Sequence, residues 1–136
     1  MLSTLFIHKI NGLNDFCLPQ AIIPMPMHKT RLKQRGFNQA LELSRFFASH
    51  YQLPLNYTSL IRSRHTDLQA GMSAVERQKN VRQAFKVKKP IQYNHIALID
   101  DVMTTGSTVN EAAKTLKNSG VKTVDIWIIA RAGMNI

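Results

Sequence analysis

The chain has 136 residues, 44% of them hydrophobic, with 18 Lys/Arg against 8 Asp/Glu and a formal net charge of +10. That length suits one domain with a real core, and no apolar run approaches the ~20 residues that span a bilayer. The start lacks the parts of a signal peptide, and a single cysteine, Cys17, excludes an internal disulfide or a Cys-based zinc site, so a cytoplasmic protein is expected.

The charge is uneven. Between His28 and Lys89, thirteen Lys/Arg stand against three acids, Glu42, Asp67 and Glu76. Such an excess favours a polyanionic partner, whether pyrophosphate, nucleotide or nucleic acid. A merely solvated basic surface is the plainer reading.

In chain order, residues 1–20 form a short irregular lead to a domain over 21–136. Leu2, Leu5 and Phe6 suggest a helix start, broken by Asn11-Gly12 and Asn14-Asp15. Cys17 reads as a small buried or idle side chain. Ala21-Ile22-Ile23 is a short strand, stopped by Pro24 and Pro26. His28 to Arg35 is a basic loop with Arg31, Lys33 and Arg35 before Gly36. A helix then starts at Asn38, which can cap it, with Ala40, Leu43 and Phe47 on its apolar face and Phe46 beside them.

Tyr51 to Ile61 reads as a strand. Arg62 to Ala70 lacks periodicity and reads as a mobile, low-stability loop. Ser73 and Glu76 form a capping box opening a helix through about Val81. Phe85 and Val87 return the chain to extended structure.

Ile96 to Ile99 is a buried central strand running into Asp100 and Asp101. Val102 and Met103 follow, then the small-residue loop Thr104-Thr105-Gly106-Ser107-Thr108. Val109, Ala112, Ala113 and Leu116 recur at helical spacing, and Gly120 ends that helix in the left-handed region. Val121 to Ala130 is a second buried strand, with Trp127 in the core. Alternating strands and helices predict an α/β fold, a mostly parallel twisted sheet flanked by helices.

The loop around Gly106 has the makings of a phosphate site: helix-start N–H groups, the helix dipole and hydroxyl donors. Thr105 or Ser107 acting as a plain helix cap would also explain part of it. No Lys follows the glycine, so this is not a Walker A loop.

The run from Ile96 to Thr108 resembles the ribose-phosphate signature of type I phosphoribosyltransferases. Pro24-x-Pro26, Arg31-Leu32-x-x-Arg35-Gly36-Phe37-Asn38-Gln39-Ala40 and the blocks from Arg62 to Phe85 resemble the ComF/GntX family, phosphoribosyltransferase-like proteins linked to competence and DNA uptake. This resemblance implies the type I phosphoribosyltransferase fold and a site for phosphoribosyl pyrophosphate (PRPP). Asp100 and Asp101 would be the catalytic acids, facing the ribose hydroxyls directly or through Mg²⁺. Thr104, Thr105, Gly106, Ser107 and Thr108 would wrap the 5-phosphate, and Arg31, Lys33 and Arg35 would hold pyrophosphate. Arg62, Arg64 and Gln69 would belong to a flexible hood. The acceptor would be a nucleobase or amine. Single-stranded DNA is the alternative partner, for a non-catalytic DNA-uptake factor, and homodimerisation stays open. Family members commonly carry an N-terminal four-cysteine zinc module, which these residues do not contain.

Overall fold

Alternating side chains of β-branched and aliphatic residues give the central strands two apolar faces, and a sheet with two apolar faces needs helices on both. The computed structural model describes residues 6–10, 17–63, 73, 75–76, 84–103 and 106–131. The elements among these are β1 (Phe6–Ile10), β2 (Ala21–Pro24), α1 (Lys29–Arg35), α2 (Gln39–Tyr51), β3 (Leu60–Arg62), β4 (Phe85–Val87), β5 (His95–Met103), α3 (Ser107–Asn118) and β6 (Thr123–Arg131). The main sheet has the order β1-β6-β5-β2, and β3 pairs with β4 in a separate two-stranded sheet.

Within the main sheet β2, β5 and β6 are parallel, with Ala21 opposite Ile96 and Ile96 opposite Val124. β1 runs antiparallel along the far side of β6, Phe6 opposite Ile128. The mostly parallel α/β expectation holds. The helix start expected at Leu2, Leu5 and Phe6 does not hold at Phe6, which opens a strand; Leu2 and Leu5 lie outside the described residues. β6 supplies the ladder partners for that strand, a long-range pairing that local sequence does not encode.

On one face, Ile96 and Leu98 of β5 with Val124, Ile126 and Ile128 of β6 pack against Val109, Ala112, Ala113 and Leu116 of α3. Phe85 and Leu60 of the small sheet close the same cluster. On the other face Ile22, Ala97, Ile99 and Trp127 pack under α2, through Leu43, Phe47 and Ala48. Trp127 is fully buried, its ring edge-on to those of Phe47 and Tyr51 at 5.7 Å each. Truncating a buried side chain such as Leu116 costs about 2–5 kcal/mol.

Helix α2 starts as expected. The Asn38 side chain accepts from the Ala40 and Leu41 amides, at 3.0 and 3.4 Å. It runs to Tyr51, so the strand read from Tyr51 begins only at Leu60. Stacking of Phe47 and Tyr51 over one another and against Trp127 holds the last turn helical. Between them, Pro54 to Asn56 run beside β2, where the Ile22 amide donates to the Pro54 carbonyl at 2.9 Å. Cys17 is exposed rather than buried. The Ser73 hydroxyl accepts from the Glu76 amide at 3.1 Å, as a capping box requires; the helix expected beyond it, over 77–81, lies outside the described residues.

Candidate functional site at the carboxyl edge of the sheet

The sheet brings three chain segments to one edge. β5 ends at Met103, and β2 beside it ends with Pro24 opposite Ile99. The Met25 amide donates to the Ile99 carbonyl at 2.8 Å, and the Met25 carbonyl accepts from the Asn38 side chain at 3.3 Å. These two bonds tie the start of α2 to the end of β5. Helix α3 begins at Ser107, a few residues past Met103. Clefts at the carboxyl ends of parallel strands are where open α/β sheets bind ligands.

Asp100 and Asp101 are the last described side chains along β5 and are both half-buried. The strand extends through them instead of stopping at Ile99. Leu98 and Ile99 before them face the α3 and α2 sides of the sheet, while the Asp100 and Asp101 side chains lie within hydrogen-bond reach of each other. One Asp100 carboxylate oxygen accepts from the Asp101 amide at 2.9 Å. Burial pushes the Asp100 carboxyl up to about 8, aided by a side-chain hydrogen bond to Asp101 and by its negative charge. The Asp101 amide and the Arg62 guanidinium pull the other way without cancelling it. A carboxyl raised this far keeps its proton at neutral pH.

Gly106 occupies the cap position of α3 with φ +87°, and no side chain caps that end. Ser107 is the first helical residue, so it does not supply the cap; Thr104 and Thr105 lie outside the described residues. A left-handed conformation favours glycine there, because a Cβ costs about 1–2 kcal/mol. First-turn amides of a helix have no intrahelical acceptor, and here they lie just beyond the carboxylates.

The basic segment differs from expectation. Lys29–Arg35 is a helix, not a loop. The His28 ring accepts from the Thr30 amide at 3.2 Å and opens it, and Gly36 at φ +82° closes it. No residue of α1 is buried. At 100° per residue, Arg31 and Arg35 share one face while Lys33 points almost the opposite way. The trio is therefore split. Arg35 also lies over the Phe37 ring, 5.3 Å from its centroid.

Arg62 ends β3 rather than starting a loop, with its guanidinium 5.3 Å from the Phe85 ring centroid. Its field reaches Asp100, an approach the sequence reading missed. Arg64 and Gln69 lie outside the described residues. A second acid also went unread. Asp125, fully buried in β6, has one carboxylate oxygen 2.9 Å from His95 Nε2 at the opposite end of β5. Its signal was a lone acid inside an apolar strand.

A doubly wound sheet with paired acids at a strand end and a glycine-started helix beyond them defines a phosphoribosyltransferase-type domain. Residues 34–134 match the phosphoribosyl transferase domain, and the chain belongs to that family. Its relatives include "Competence protein F" of Haemophilus influenzae, 42% identical over 118 residues, 85% of this chain and 52% of that protein. "DNA utilization protein YhgH" of Shigella flexneri is 35% identical over 131 residues, 96% of this chain and 56% of that one. "Competence protein ComFC" of Streptococcus pneumoniae is 29% identical over 110 residues, 80% and 47%. These likenesses bear out the ComF-family reading. The chain spans about half the length of the curated relatives it matches. Among the described residues, no helix is long and apolar enough to cross a membrane.

Proposed function

We propose that this chain binds PRPP together with Mg²⁺ at the carboxyl edge of its sheet and carries out phosphoribosyl transfer to a nucleobase or amine, or retains the binding half of that reaction. The observation that carries the reading is the coincidence, in one register, of Asp100 and Asp101 at a strand end with the Gly106 helix start. Asp100 and Asp101 would hold the ribose hydroxyls. The first turn of α3, from Gly106 through Thr108, would receive the 5-phosphate. Arg31 and Arg35, on one face of α1, would steady pyrophosphate as negative charge gathers on it; Arg suits this through its planar fork of donors.

Mg²⁺ fits the donors present. Among the described residues there is no group of three or more His, Cys, Asp or Glu able to cage a metal. Mg²⁺ usually keeps its waters and takes one or two carboxylates plus substrate phosphates, and Asp100 and Asp101 are two such carboxylates. When bound, the ion would neutralise charge on the departing pyrophosphate.

Titration calorimetry with PRPP and Mg²⁺ tests the reading. Binding by the wild type, weakened at least tenfold in Asp100→Asn/Asp101→Asn with the fold intact, is expected. Well-folded protein that takes up no PRPP at millimolar concentration would sink it. Pyrophosphate release in a screen of free bases then separates an enzyme from a binder.

A second reading is binding of single-stranded DNA. It is supported by the +10 charge, by relatives named for competence and DNA utilisation, and by exposed aromatic rings beside arginines. Affinity that falls steeply with salt is its signature.

A further inference from the structure

Helix α2 has an outward face that the core does not use. Ala40, Ser44 and Ala48 are its buried residues, with Leu43 and Phe47 packed beside them. Glu42, Arg45, Phe46, Ser49 and His50 recur at three- and four-residue spacing and are all exposed. Phe46 sits in the middle of that arc, 63% exposed. One exposed phenylalanine is ordinary in a soluble protein, but this one has company. Its ring lies parallel to the His50 imidazole, 8° between planes and 6.1 Å between centroids. His50 in turn meets the Tyr51 ring edge-on at 4.8 Å. On the flank, the Arg45 guanidinium stands 5.8 Å from the centroid of Tyr57, which is 55% exposed.

Planar rings, a guanidinium on a ring face and a single acid, Glu42, give this surface a definite chemistry. Glu42 approaches Arg45 only at 4.0 Å with both side chains solvated, a weak pair that leaves the guanidinium accessible to a phosphate. Flat apolar faces suit unstacked bases, and the Arg45 guanidinium suits a phosphate between them. Duplex DNA hides its base faces, and a convex helix surface cannot reach them. We propose that the outward face of α2, with Tyr57, is a stacking platform for single-stranded DNA. This rests on the second reading above and assigns it a place. Phe46 lies eight residues beyond the Asn38 cap, about 12 Å along the helix, away from the strand edge that carries Asp100. DNA and PRPP would therefore bind without competing.

Fluorescence anisotropy of a dye-labelled oligothymidylate, titrated with the full chain at low salt, tests the platform. Phe46→Ala should weaken binding at least tenfold, in line with the loss of base stacking on one ring, with melting temperature unchanged because the side chain is exposed. Phe46→Trp should restore it. Arg45→Ala/Tyr57→Ala should weaken binding and flatten its salt dependence. Asp100→Asn/Asp101→Asn, and saturating PRPP, should leave DNA affinity unchanged. Wild-type affinity in both Phe46→Ala and Arg45→Ala/Tyr57→Ala would overturn the platform while leaving DNA binding standing. No binding by the wild type even at low salt would overturn both.

Discussion

The proton held on Asp100 makes a prediction about stability that needs no ligand. An aspartate in the unfolded chain titrates near 3.8, and burial raises Asp100 in the folded protein to about 8. Between those values the folded state keeps a proton that the unfolded chain has released. Raising the pH across that window therefore favours unfolding, with a limiting slope of about 1.4 kcal/mol per pH unit. From pH 5 to pH 7 this amounts to about 2.7 kcal/mol, or roughly 8–16 °C in melting temperature for a chain of this size. Asp100→Asn keeps the shape of the protonated acid and removes the titration. Its stability should match the wild type at pH 4 and exceed it increasingly up to pH 8. Urea unfolding of both proteins in EDTA, across pH 4 to 8, reads the difference and cancels every other titrating group. Asp101→Asn should narrow the pH window over which that slope holds, because one cause of the raised proton affinity goes with its carboxyl. Parallel curves for wild type and Asp100→Asn would refute the reasoning.

Three further substitutions probe the frame of the site. His95→Ala would leave the buried Asp125 carboxylate without its 2.9 Å partner and should cost about 3 kcal/mol in urea unfolding, whereas truncating the exposed His50 should cost almost nothing. Asn38→Ala removes the cap of α2 and its bond to the Met25 carbonyl, and should cost about 1 kcal/mol while weakening PRPP binding by loosening the strand edge. Gly36→Ala meets no atom within 4 Å but must adopt φ +82°. It should cost about 1 kcal/mol from backbone strain alone, read as frayed amide exchange in α1 with the rest of the chain unchanged.

How much of this was legible varies from residue to residue for physical reasons. Val109, Ala112, Ala113 and Leu116 announced α3 because every one of them is buried, and burial is what writes helical periodicity into sequence. The strand before Asp100 and the glycine after it were readable for the same reason: each position tolerates few residue types. Helix α1 was not readable, since none of its residues is buried and a helix without a buried face leaves no period to detect. Its ends are set by a His28 ring bond and a left-handed Gly36, signals too local to distinguish a helix from a turn. β1 depends on its pairing with β6, a contact across more than a hundred residues. Phe46 was noticed as lying beside the apolar face of α2. Only the structure shows how its ring lines up with His50 and how Arg45 meets Tyr57.

The two acids inside the sheet show how one fold handles buried charge in two ways. Asp125 keeps company with a histidine at the amino end of β5, the carboxylate fully buried and the imidazole partly exposed. At the carboxyl end burial holds a proton on Asp100, against the opposing pull of the Arg62 guanidinium. A proton leaves more readily than a packed side chain. Two fully ionised carboxylates would repel an incoming polyphosphate, whereas a pair that holds one proton presents little more than a single negative charge, near Arg62. In the proposed binding of PRPP, the exposed Arg31 and Arg35 of α1 would then draw the anion in. Under that proposal the acids would regain their full charge as Mg²⁺ displaced the proton, since carboxylates bind a metal in their deprotonated form. Burial of Asp100 thus destabilises the fold at neutral pH, a cost that would go with the proposed site, whose charge would change on binding PRPP and Mg²⁺.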